Sequence, residues 1–339
     1  MRRRLLAITP VDQPGGAELH LLALLGGLQP RGWEITVTTP GHGAMRDAAL
    51  DAGYAWRALA LGGLQRGAGA RAIGSWPAAR ALAARADVAY LNGGVCGRLL
   101  PALGGLLGRS VLHIHDIVRR VPSFWRRADL VLADSRAVAD RLPGLDPQVV
   151  YGPVDPDPPA AAAPWPLDNG PVIGFVGRIE PRKGVLDLVR AAPAIRRGAP
   201  GVRIVVIGDD PYGSDPAYTR AVIESPEIEH HPWRADAAGL MRHFDVLVLP
   251  SHQEPFGTVL AEAMAVGTPV VATTVDGLPE VVQDVATVRR VPLGAPDPLA
   301  EAVLEVLEHR EVMGAAARHR AQRFFVADYV ERVERLIAR

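Results

Sequence analysis

Cysteine, lysine and any excess of one charge are scarce in this sequence. Of its 339 residues only Cys96 is a cysteine, so no intrachain disulfide forms and a paired-cysteine zinc site is excluded. That usage fits a reducing, cytoplasmic compartment. The 37 Lys and Arg residues balance the 37 Asp and Glu residues. A nucleic-acid binder carries a strong basic excess, so no nucleic-acid partner is expected. No run of 18 apolar residues exists, and no membrane-spanning helix is expected. Met1-Arg2-Arg3-Arg4 has the basic flank of a signal peptide, but the apolar run that follows is too short and reads as a first buried strand. Lysine is nearly absent: 36 of the basic residues are Arg, and Lys183 is the one Lys. In a chain rich in Ala, Gly and Pro, Arg has replaced Lys wherever a surface charge suffices. A site that needs a compact ammonium resists that drift, which directs attention to position 183.

Hydrophobic residues make up 48% of the chain, enough for a core in each of two domains of this combined length. Short apolar runs bounded by turn signals recur. They are Leu5–Ile8, Ile35–Thr38, Val88–Leu91, Val111–Ile114, Leu130–Ala133 and Val149–Tyr151, then Val172–Val176, Arg203–Ile207, Val246–Leu249, Pro269–Ala272 and Ala286–Val291. Most are continuous rather than alternating, as in strands buried on both faces of a parallel sheet. Helical stretches lie between them: Ala17–Leu28, Trp76–Ala86, Val185–Ile195, Val259–Val266 and Leu299–Leu307. The alternation predicts a doubly wound α/β architecture.

A Pro- and Ala-rich stretch, 156–170, separates an N-terminal domain (1–155) from a C-terminal one (171–323). Residues 1–155 carry 18 basic and 12 acidic groups, net +6, and the remainder is net −6. Two oppositely charged α/β domains on one tether suggest a cleft that opens and closes.

Open α/β sheets bind ligands beyond the carboxyl ends of their strands, so the residues just after the strands are the candidates. Gly15-Gly16-Ala17-Glu18 opens a helix, where glycine lets backbone approach an anion. A looser glycine pattern, Gly67-Ala68-Gly69-Ala70-Arg71-Ala72, lies far from the first strand–helix turn and is no dinucleotide fingerprint. His113 and His115 end a strand and point the same way, but no third metal ligand is evident in the sequence, so no metal is expected. Gly177-Arg178-Ile179-Glu180-Pro181-Arg182-Lys183-Gly184 offers a guanidinium fork and a point charge for a diphosphate. Pro250 to Met264 holds Glu254 in a turn and Glu262 on the helix after it, at helical rise roughly 10 Å apart. That exceeds the ~5–5.5 Å of a retaining glycosidase pair. The two carboxylates suit the hydroxyls of two parts of one elongated ligand, with the helix start between them suited to phosphate. Asp276-Gly277-Leu278-Pro279-Glu280 would wall the same site. Asp155-Pro156-Asp157 resembles a metal-binding pair but opens the Pro-rich linker, and it is set aside.

"GRIEPRKG", "PSHQEPFGTVLAEAMAVGTPVVAT" with Glu254-x7-Glu262, and "DGLPEVV" closely resemble the retaining glycosyltransferases of family 4. The N-terminal half is similar more loosely, through Gly15–Glu18, His115-Asp116, "DLVLADS" and "GPVD". The resemblance implies a GT-B fold, two Rossmann-like domains facing each other across a cleft, with the last helix (about 324–339) rejoining the N-terminal domain. It implies a nucleotide-sugar donor, UDP- or GDP-linked, no metal or other cofactor, and retention at the anomeric carbon. By position, Glu254 would hold the sugar hydroxyls, and the Phe256 and Gly257 amides would face the sugar. Thr258 and Val259 would face the phosphates, and Glu262 the ribose. Arg178 and Lys183 would stabilise the departing diphosphate, Gly16 would approach the phosphate or acceptor, and His115 would assist transfer. Asp276 departs from the pattern, standing where a glycine pair is usual.

The acceptor stays open among a carbohydrate, a lipid-linked sugar and a small natural product. A nucleotide-sugar epimerase on the same fold and a non-catalytic sugar-nucleotide binding subunit are the rival readings. Arg119-Arg120 and Arg126-Arg127 around Phe124-Trp125 suit a peripheral contact with an anionic membrane face, an anionic acceptor, or a solvated loop.

Overall fold

The computed structural model describes residues 2–62, 72–167, 170–213, 215–283 and 288–338. The chain divides into two compact units, Met1–Pro153 with Val326–Arg339, and Val154–Phe325. Among the described residues no helix is long and apolar enough to cross a membrane.

The first unit is built on β1 (Arg3–Ile8), β2 (Trp33–Thr39), β3 (Ala55–Ala58), β4 (Val88–Asn92), β5 (Arg109–Ile114), β6 (Leu130–Ala133) and β7 (Gln148–Val149). They form one parallel sheet in the order β3-β2-β1-β4-β5-β6-β7. Successive β1 side chains point to opposite faces, so Leu5 and Ala7 enter one core cluster while Leu6 and Ile8 enter the other. The first cluster is covered by the helix Gly16–Leu28 and by the chain's last helix, Val326–Ile337, which buries Tyr329, Val330, Val333 and Ile337 there. A Cβ on Gly27 would lie 2.4 Å from Val330, so only glycine lets these two helices approach so closely.

The second unit holds β8 (Val172–Val176), β9 (Arg203–Ile207), β10 (Glu229–His231), β11 (Val246–Leu249), β12 (Val270–Thr273) and β13 (Val288–Val291). Their order is β10-β9-β8-β11-β12-β13, again all parallel. β8 and β11 are buried along their whole length, which is why their sequences read as unbroken apolar runs. The Pro-rich stretch packs on this unit rather than hanging free. Trp165 stacks on Phe244 with ring centroids 5.6 Å apart, and Pro158 and Ala161 accept hydrogen bonds from Arg242 and His243.

Two strands escaped the sequence reading, β3 and β10. Both lie at sheet edges with half-exposed or exposed residues, so neither has a continuous apolar run to betray it. The helices Ala44–Asp51, Pro216–Ile223 and Arg310–Ala321 were also not anticipated. Residues 67–71 of the loose glycine pattern, and 286–287 of the last expected strand, lie outside the described residues.

Trp125 is buried over Gly94 and Gly97, and Phe124 is partly buried against the same cluster. The aromatic members of the stretch, for which the sequence leaves a membrane face, an anionic acceptor and a solvated loop all open, therefore turn toward the core, while the arginines stay exposed.

Candidate active site

In each unit the strand order reverses beside the first strand, between β1 and β4 and between β8 and β11. Beyond the carboxyl ends of such a pair the loops diverge and leave a crevice. The sequence-predicted residues collect at these two places.

In the second unit, the loop after β8 ends in a turn, Pro181–Lys183, capped by Gly184 before the helix Val185–Gly198. Gly184 has φ +67°, and a Cβ there would stand 1.9 Å from the Pro250 carbonyl oxygen. Glycine thus lets the β8 loop press against the β11 loop. The Arg182 carbonyl accepts the amides of His252 (2.7 Å) and Gln253 (3.2 Å) across that seam. The seam brings Lys183 Nζ to 2.5 Å from Glu254 Oε2, with both side chains largely buried. Ser251 Oγ donates to the same oxygen at 3.3 Å. Glu254 Oε1 has no partner among the described residues. Arg178 and Arg182 share the Glu180 carboxylate at 3.3 and 2.7 Å, and the Arg178 guanidinium lies 5.4 Å over the Tyr212 ring. His252 pairs with Asp187 at 2.6 Å.

Beyond Glu254 the chain enters the helix Thr258–Ala265 through Gly257, at φ +92°, with Phe256 buried edge-on to Phe324. Glu262 is half-buried on this helix with no hydrogen-bond or ion-pair partner among the described residues, and desolvation pushes its carboxyl up to about 7. Asp276, at φ +42°, is the one non-glycine residue among the described residues held in left-handed backbone, a conformation costing about 1 kcal/mol or more. Its Oδ2 accepts the Glu254 amide at 3.1 Å, while the Gly277 amide donates to the Glu254 carbonyl at 3.1 Å. The Glu254 backbone is thereby clamped from both sides.

The first unit gathers a buried polar chain at the ends of β1, β4, β5 and β6. Glu18 accepts from Thr9 Oγ1 (3.1 Å), from the Gly15 amide (3.0 Å) and from Asn92 Nδ2 (3.3 Å). Asn92 Nδ2 also donates to the Ala17 carbonyl, which turns its Oδ1 toward His115 Nε2 at 2.9 Å. The other ring nitrogen of His115 lies 2.8 Å from Asp134 Oδ2. Both partners accept only, so both ring nitrogens of His115 carry protons. Burial opposes that charge, but the Asp134 carboxylate outweighs it and raises the His115 pKa. His115 is thus an imidazolium rather than a base in waiting. Burial likewise opposes the Asp134 anion, yet His115 and His113 hold its carboxyl far below the usual range.

His113 Nε2 stands 2.7 Å from Asp134 Oδ1, and its Nδ1 accepts from the Tyr90 hydroxyl at 2.6 Å. Desolvation drives His113 and His20 down to about 4 and keeps both neutral. Gly16 begins the adjoining helix with open space where a Cβ would be.

Sequence reasoning missed His20, Asn92 and Asp134. It also found no third metal ligand beside the histidine pair, whereas the fold brings His20, His115 and Asp134 together with one ligand atom each within 4.8 Å. Asn92 and Asp134 each end or follow a buried strand, where ligand-binding residues are expected, but a lone Asn or Asp there forms no motif that singles it out. His20 lies on the apolar face of a helix and reads as an ordinary core residue.

Residues 14–158 match the family described as Glycosyltransferase Family 4, and residues 170–309 match Glycosyl transferases group 1. The glycogen synthase of Mycobacterium tuberculosis (strain CDC 1551 / Oshkosh) is 33% identical over 212 residues, 58% of this chain and 48% of that protein. The D-inositol 3-phosphate glycosyltransferase of Mycobacterium bovis (strain BCG / Pasteur 1173P2) is 37% identical over 228 residues, 63% of this chain and 45% of that protein. The chain therefore spans about half the length of the curated relatives it matches. Among solved structures, Anabaena HepE in complex with UDP and glucose superposes with a TM-score of 0.84 at 22% identity, covering 100% of both chains. Sucrose-phosphate synthase from Thermosynechococcus elongatus gives 0.82 at 21% identity, covering 99% of this chain and 98% of that one. At those identities the likeness establishes the fold, two α/β units of the GT-B type.

Proposed function

We propose, from the premise that the chain belongs to the family 4, group 1 glycosyltransferases, that it moves a hexose from a nucleotide diphosphate donor to an acceptor hydroxyl. The observation that carries the reading is the pairing of Lys183 with Glu254 at the β8/β11 reversal, followed on one helix by the unpartnered Glu262. A ligand with hydroxyls at both ends and a diphosphate between them matches that order of groups. Glu254 Oε1 accepts sugar hydroxyls, and Glu262 accepts the ribose pair, whose hydrogen bonds offset its desolvation. Phe256, Gly257, Thr258 and Val259, where the chain turns into the helix, line the stretch between them.

The chemical demand is to stabilise the departing diphosphate as the anomeric carbon gains positive character. Lys183 and Arg178 supply cations where that charge develops. Glu254 is tied to Lys183 and Ser251 through Oε2, which makes it a poor nucleophile. Same-face transfer assisted by the leaving phosphate, with retention, therefore fits better than a covalent glycosyl-enzyme.

The amino-terminal unit takes the acceptor, and Gly16 leaves its backbone open to an anion. Both N–H groups of His115 are already given to Asp134 and Asn92, so its fixed positive charge suits an electrostatic role rather than proton abstraction. His115 has both ring nitrogens engaged, by Asp134 and by Asn92, and so has none to offer a metal, which supports a metal-independent reaction; dialysis against a chelator should leave turnover unchanged. We favour uridine as the base, since Anabaena HepE carries UDP.

The test is a panel of UDP- and GDP-hexoses with carbohydrate, lipid-linked and small-molecule acceptors, reading nucleotide release and product together. Release coupled to a new glycoside supports transfer. Conversion of donor to a different sugar nucleotide without acceptor would replace transfer with epimerisation. Binding with no turnover on any acceptor would leave a binding subunit.

A further inference from the structure

Asp276 combines three features. Its backbone is held at φ +42° although it carries a side chain. Its Oδ2 is fixed by the Glu254 amide at 3.1 Å. Its Oδ1 has no partner among the described residues. A residue needed only to hold the turn would not have to be charged, since a neutral amide oxygen accepts the same hydrogen bond. A residue needed only for the backbone angle would be a glycine.

The carboxylate is therefore displayed at a fixed place one hydrogen bond from the Glu254 backbone, and Glu254 keeps its own Oε1 unpartnered. Lys183 is committed to Glu254 Oε2, and the Arg320 guanidinium to the Glu280 and Val281 carbonyls. Arg178 and Arg182 are committed to Glu180. The turn that would receive the sugar thus presents two anionic acceptors and one ammonium, a surplus of negative charge.

We infer that Asp276 is a specificity-determining residue for the donor sugar, selecting a neutral polyhydroxylated hexose and rejecting a sugar that carries a carboxylate. This rests on the reading that Glu254 faces the sugar. Two carboxylates accept hydrogen bonds from a hexose's hydroxyls, and an anionic sugar placed among them meets like charge, the means by which a site rejects a near-isostere. A hexuronate differs from the hexose at one carbon and adds that charge.

The experiment uses the full chain and the variants Asp276→Asn and Asp276→Gly. Each is assayed with the neutral donor it turns over and with the matching nucleotide hexuronate as competitor. In the wild type the hexuronate should inhibit at least tenfold more weakly than the neutral donor binds. Asp276→Asn, which keeps an acceptor for the Glu254 amide and tolerates the backbone angle, should narrow that gap at least fivefold and raise KM for the neutral donor. Asp276→Gly should narrow it as well, with thermal stability unchanged or raised. A gap within twofold of wild type in Asp276→Asn overturns the inference.

Glu254→Ala separates the layers. If it raises KM for the neutral donor while Asp276→Asn leaves the gap unchanged, only the specificity role fails. If it leaves KM and kcat unchanged, the placement of the sugar fails too.

Discussion

At the strand ends of the first unit, both ring nitrogens of His113 and of His115 meet a carboxylate, an amide oxygen or a phenol. At the corresponding place in the second unit, Glu262 meets nothing among the described residues, and Glu254 and Asp276 each keep one oxygen unpartnered. Both sets sit beside a reversal of strand order, so topology alone does not distinguish them. What differs is whether the polar groups satisfy one another. A closed set fixes one charge, the His115 imidazolium, and stiffens its unit. An open set bears a desolvation cost until a ligand with matching hydroxyls arrives. The first therefore reads as a positioned group and the second as a binding surface.

The strongest way to break this contrast is Asp134→Asn. It leaves a buried imidazolium without its counter-charge, and about 3 kcal/mol or more of stability should go, read as an earlier urea midpoint. A midpoint like the wild type's would mean that the network is not closed. Lys183→Ala should cost at least tenfold in transfer rate, about 1.4 kcal/mol, and some stability as well, since it leaves the largely buried Glu254 carboxylate without its cation. Glu254→Ala should match it. Either variant turning over normally while folded would remove that side chain from the site.

The two units should also answer pH with opposite signs. His20 and His113 titrate near 4 when folded against 6.5 otherwise. The unfolded chain therefore binds their protons first, and the first unit loses stability as pH falls from 6.5 to 4. Glu262 titrates near 7 when folded against 4.5 otherwise. There the unfolded chain releases its proton first, and the second unit loses stability as pH rises from 4.5 to 7. Hydrogen exchange at pH 5 and 7, corrected for intrinsic rates, should show protection moving in opposite directions in the two units; movement in a common direction contradicts the assignment. The smallest effect is that of Glu262→Gln, which should raise the melting temperature by a few degrees at pH 8 and weaken UDP binding. A lower melting temperature would show that the carboxylate has a stabilising partner.

Much of this was legible in the sequence. β6, β8, β9 and β11 have the expected bounds residue for residue, because strands buried on both faces must be apolar throughout. Lys183 stood out by composition, and Glu254 and Glu262 by spacing and resemblance. The edge strands β3 and β10 were not legible, because a strand with one neighbour and a wet face needs no apolar run. Trp125 was misread as surface because a basic flank says nothing of which way an indole turns. Gly94 and Gly97 decide that, by leaving the room it fills.

The linear order of residues determined the alternation of buried strands and helices, the placing of charged residues at strand ends, and the singular lysine, since each is a local consequence of period, burial and turn chemistry. Only the tertiary structure decided the partners. Lys183 and Glu254 are 71 residues apart, His115 and Asn92 are 23 apart, and Asp134 is 19 beyond His115. Whether such groups neutralise one another or wait for a ligand depends on distances of 2.5 to 3.3 Å that parallel strand register sets and sequence separation does not encode.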